Sequence, residues 1–96
     1  MSEKYKLLQG EISMSKLRTP SGGKNLISQQ LIKLRKQHQY SQRDLACLLQ
    51  LAGYDIDKNI ITRIETDQRY VNDLELKAFS QIFNVSYEYL IEGKQN

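Results

Sequence analysis

SQRDLACLLQLAGYDIDKNIITRIE, residues 41–65, holds two amphipathic patterns separated by a glycine-containing break. In the first, Ser41 stands where a helix N-cap belongs, and Asp44 follows three residues on as a shortened capping-box acid. Leu45, Ala46 and Leu49 then share one side of the helix, and Gly53 fits a C-terminal stop. In the second pattern Asp57 is placed to cap. Ile60, Ile61 and Ile64 fall within roughly 100° of one another on a helix and make a buried stripe. Asn59, Thr62 and Thr66 point away from that stripe, with Lys58 and Arg63 flanking them. Asn and Thr are weak helix formers, so exposing them trades propensity for directed donors and acceptors. DNA base edges and phosphates require such a face. A solvated surface helix of unusual composition is the competing reading, and this stretch alone leaves the two level.

Working outward, NLISQQLIKLRKQHQ (residues 25–39) places Ile27, Leu31 and Leu34 on one stripe. Lys33, Arg35 and Lys36 load its C-terminal end with positive charge, which suits the helix dipole. Downstream, Asn72 or Asp73 can cap a helix that turns Leu76, Phe79 and Phe83 inward. Asn84 and Val85 form a tight break, and Ser86 starts a short last helix ended by Gly93. The expected fold class is therefore all-α, with five helices. TPSGGKN (residues 19–25) carries the only proline and two of the five glycines and reads as a linker. Residues 1–25 are read as a basic N-terminal arm and linker, and residues 26–93 as the helical domain. Within the arm, the alternation of Tyr5 and Leu7, then Ile12 and Met14, is compatible with a short hairpin, which alone is marginal.

Composition narrows the function. The chain has 96 residues, 40% hydrophobic and 26% charged, which suits one small globular domain. No apolar run reaches a membrane span of about 18–20 residues, and no signal-peptide pattern opens the chain. A cytoplasmic protein is expected, nucleoid-associated when bound to DNA. One cysteine and one histidine, Cys47 and His38, cannot build a Cys/His zinc site. Cys47 is read as buried and inert. There is no phosphate loop, no metalloprotease motif and no recognisable catalytic set, so no enzyme, no catalytic residue, no metal and no cofactor is expected. Charge is lopsided. Residues 1–43 carry nine Lys or Arg against two Glu, a net of +7, and residues 44–96 carry a net of −4. The basic half points to an anionic partner.

The ordered pieces LRKQHQYSQRDLACLL, ITRIE and LKAFSQIFNVSYEYLI resemble the Xre/Cro family of helix-turn-helix domains, the fold of the lambda-type repressors. The resemblance spans residues 26–92. It implies a five-helix lambda-repressor-like domain in which the helix from Ser41 crosses the DNA backbone and the helix at about residues 57–66 lies in the major groove. It implies base contacts from Lys58, Asn59 and Thr62. Backbone contacts are implied for Gln42 and expected for Arg43, Arg63, Gln68 and Arg69, with pairing inside the fold an alternative for Arg63. Glu65 is read as structural. The expected function is a sequence-specific, repressor-like regulator that binds double-stranded DNA, working as a homodimer. A regulatory protein partner is a further expectation. The alternative is a protein-interaction module or antitoxin-type partner that keeps the fold without reading DNA, which the acidic second half favours. Two departures from the family pattern stand out. The link between the two helices is about five residues longer than usual, with Gly53 and Tyr54 shaping it and Ile56 plugging the core. The arm is basic, and such arms can track the minor groove.

Overall fold

The computed structural model describes residues 17–94. The hairpin expected at Tyr5–Met14 lies outside the described residues. Among those described there are five helices: α1 (Ser28–Gln37), α2 (Gln42–Leu51), α3 (Lys58–Glu65), α4 (Asp73–Phe83) and α5 (Tyr87–Glu92). The fold is all-α, as the hydrophobic periodicity requires.

Local chemistry starts each of the last four helices. Ser41 and Asp44 form a reciprocal capping box with both bonds at 2.9 Å. Asp57 accepts the Ile60 N–H at 2.9 Å. Asn72 and Glu75 form a second capping box, and Ser86 accepts the Tyr89 N–H. These side chains satisfy donors that a helix N-terminus leaves orphaned. The stops are equally local. Gly53 and Gly93 take positive φ after α2 and α5, and Asn84 does so after α4.

The Asp44 carboxyl is held below its ordinary range, first by the backbone bond from Ser41 and then by its side chain. A depressed carboxyl contributes stability above the unfolded value of about 3.9 and loses it as pH falls through the lower folded value. Ser41→Ala is expected to cost about 1 kcal/mol in urea unfolding at neutral pH. The stability gap between the parent and Asp44→Asn should close on acidification. A gap that ignores pH would contradict the capping account.

α1 packs on α3 and α5, while α2 packs on α3 and α4. The core they enclose contains Ile27, Leu31, Leu34, Leu45, Ala46, Leu49, Ile56, Ile61, Ile64, Ala78, Phe79, Phe83, Tyr89 and Leu90. Leu76, expected inward, is only half-buried. The long link at residues 52–57 does plug the core with Ile56, and Tyr54 steadies it through a hydrogen bond from its hydroxyl to Gln81 on α4. Cys47 corrects the sequence reading, because it is exposed. The reason is angular. Residue 47 lies roughly 160–200° from Leu45 and Leu49, on the far side of α2 from the stripe they bury.

The end of the linker is built into the domain. Asp67, in left-handed backbone just after α3, accepts the N–H groups of Lys24 and Asn25 at 2.9 Å each. Asn25 then donates its amide to the carbonyls of Ile64 and Arg69 and accepts the N–H groups of Ile27 and Ser28. All four hydrogen-bonding positions of a buried Asn are thereby used. They join the start of α1 to the end of α3.

Candidate nucleic-acid interface

α3 buries Ile61 and Ile64, packs Ile60 at the edge of the core, and turns Lys58, Asn59, Arg63 and Thr66 to solvent. Thr62 is half-buried between this exposed face and the start of α2. Gln42, the first residue of α2, lies against it, with Thr62 Oγ1 donating to Gln42 Oε1 at 2.8 Å. Arg43 follows Gln42 and is exposed. The structure thus gathers Lys58, Asn59, Thr62, Arg63, Gln42 and Arg43 on α3 and the α2 N-terminus.

A polar network beneath this surface holds its parts in place. Gln42 Nε2 donates to Glu65 Oε1 at 2.9 Å. Glu65 also receives a two-pronged contact from Arg35 on α1, with Nε to Oε2 at 2.7 Å and Nη2 to Oε1 at 3.0 Å. Arg35 Nη1 reaches the Tyr40 carbonyl at 3.0 Å. Glu65 is buried and accepts three donors, so its charge is matched inside the protein. Hydrogen bonding to Glu65 raises the Arg35 pKa above its ordinary value, against the opposing effect of burial. Through Glu65, α1 and α2 both grip the C-terminal turn of α3.

The remaining expected contacts divide. Arg63 is exposed and forms no ion pair among the described residues. The acid of its RIE triplet pairs with Arg35 instead. Gln68 is exposed beyond α3. Arg69 is half-buried, and its guanidinium is engaged by Glu75 on α4, so a phosphate contact would require it to leave that carboxylate. The Arg35 network was missed in the sequence, although a signal existed. Residue 35 lies about 40° from Leu31 around α1, on the inward side.

Five of the nine acids in the second half acquire structural roles. Asp44 and Asp57 cap helices, Glu65 pairs with Arg35, Asp67 holds the linker, and Glu75 holds Arg69 and its own helix start. These acids serve the fold. Among the described residues no three His, Cys, Asp or Glu side chains group closely enough to hold a metal ion, and no helix is long and apolar enough to cross a membrane.

A protein-family model described as Helix-turn-helix matches residues 31–90, from the middle of α1 into α5. Searches of curated proteins and of solved structures return no match.

Proposed function

Because the chain belongs to the Xre/lambda-repressor-like helix-turn-helix family of DNA-binding regulators, we propose that it reads a specific double-stranded sequence with α3 in the major groove. The observation that carries this reading is the α3 face itself. Lys58, Asn59 and Arg63 are exposed together, and the one acid within α3, Glu65, is buried and matched by Arg35. Asn59 can pair with the N6 and N7 edge of adenine, and Lys58 with O6 or N7 of guanine. Gln42 and Arg43, at the positively polarised start of α2, are suited to phosphates, as are Arg63 and Gln68 beside the reading face. A repressor is the proposed role, acting by occupying its site. A homodimer is the proposed state, because two copies would read half-sites about one helical turn apart. Exposed Leu26, Leu74 and Tyr87 offer apolar surface for such a contact.

Two substitutions separate base reading from phosphate attraction. Asn59→Ala is expected to cost about 1–3 kcal/mol on the preferred site and to relax preference at one base position. Arg43→Ala is expected to weaken all sequences alike and to reduce the slope of log affinity against log salt by about 1. Fluorescence anisotropy across a salt series measures both. If both variants bind as the parent does, the face is wrongly assigned.

A further inference from the structure

Thr62 has one hydroxyl proton, and the network beneath it determines where that proton goes. Glu65 accepts on its other side as well, from Arg35 Nε at 2.7 Å and Nη2 at 3.0 Å. The Gln42 amide must therefore aim Nε2 at Glu65, because a flipped amide would set Oε1 against the carboxylate. Gln42 Oε1 then faces Thr62 and takes its proton at 2.8 Å, with the Lys58 carbonyl a second internal acceptor at 3.0 Å. Either way the donor is used inside the protein.

We propose that Thr62 meets DNA as a non-donating reader and selects an A·T pair. What it can offer a base is a methyl group and oxygen lone pairs. In a G·C pair guanine presents N7 and O6, acceptors that find no donor here, while cytosine presents the N4 donor but no methyl. An A·T pair carries both a partner for the methyl, thymine C5-methyl, and a donor for the lone pairs, adenine N6. Gln42 keeps its second Nε2–H, which is free to donate to a phosphate without disturbing the network. The inference rests on the reading that α3 lies in the major groove.

The test takes the site preferred by the full chain and measures binding to every single-pair change in one half-site, for the parent, Thr62→Ala and Thr62→Ser. Circular dichroism confirms that each variant is folded. The parent is expected to favour A·T over G·C roughly tenfold at one pair, an ordinary single-pair effect. Thr62→Ala should flatten that pair alone and leave the pairs read by Lys58 and Asn59 unchanged. Thr62→Ser keeps the hydroxyl and its bond to Gln42. It should lose the parent's preference for thymine over uracil at the same pair. A flattened G·C pair would mean that Thr62 donates, which overturns the proposal. So would a Thr62→Ala profile identical to that of a parent that still selects a motif. A parent with no sequence preference at all would instead remove the groove reading beneath it.

Discussion

Arg35→Ala is expected to destabilise the domain by about 3–5 kcal/mol, the range for removing one member of a buried ion pair. The Arg35 and Glu65 side chains are only 14% and 5% exposed, so Glu65 is largely withdrawn from water. Arg35 also holds the Tyr40 carbonyl, and Glu65 holds Gln42. The substitution therefore leaves a buried carboxylate with no counter-charge and only the Gln42 amide as donor where α1, α2 and α3 meet. Against a total of about 5–15 kcal/mol for a small domain, the loss is severe. Arg35→Lys should fall between, because an ammonium cannot reproduce the two-pronged contact and reach Tyr40 as well. The joint replacement Arg35→Met with Glu65→Met should be less damaging than Arg35→Ala alone, since no buried charge is left unmatched. Urea midpoints at constant slope measure all three. A double variant worse than the single would show that the pair contributes more than mutual neutralisation.

Asn25→Ala is the second large effect, at about 2–4 kcal/mol, because it strips partners from several buried backbone groups at once. The Ile27 and Ser28 N–H groups lose their acceptor at the start of α1. The Ile64 and Arg69 carbonyls lose their donor at the end of α3. Asn25→Asp should give no rescue. It keeps the two accepted bonds but sets a carboxylate against the two carbonyls. The effect should reach DNA binding as well, since Asn25 is one of the ties that fix the C-terminal end of α3. A variant of near-parental midpoint would contradict the assignment of Asn25 as the joint between linker and reading helix.

Both effects concern residues whose partners the sequence concealed, and the reason is distance along the chain. Helix starts were legible because Ser41, Asp57, Asn72 and Ser86 act on N–H groups three residues away. Helix stops at Gly53 and Gly93 were legible for the same local reason, and the buried stripes followed from periodicity. Ile56, placed in the core from its position in the long link, is buried there. Arg35 and Glu65 are 30 residues apart, and Asn25 and Arg69 are 44 apart. Nothing local pairs them. Arg35 therefore read as a helix-end charge and Asn25 as part of a linker. Arg69 read as a free cation for the same reason, because its partner Glu75 belongs to the next helix. Cys47 differs, because its angle around α2 already placed it outside. The general tendency of cysteine to be buried obscured that geometry. The exposed face of α3 was legible in full at Lys58, Asn59 and Arg63. The internal use of the Thr62 proton was not, because it depends on how Glu65 orients Gln42.

The central claim is that the polar face of α3 reads DNA sequence. Selection of bound sites from a random duplex pool at physiological salt, run beside a Lys58→Ala/Asn59→Ala variant, tests it most directly. The account predicts an enriched inverted-repeat motif for the parent, with half-sites about one helical turn apart, and its loss in the folded variant. An unenriched pool from folded parent protein would contradict the claim, as would the same motif recovered by both proteins.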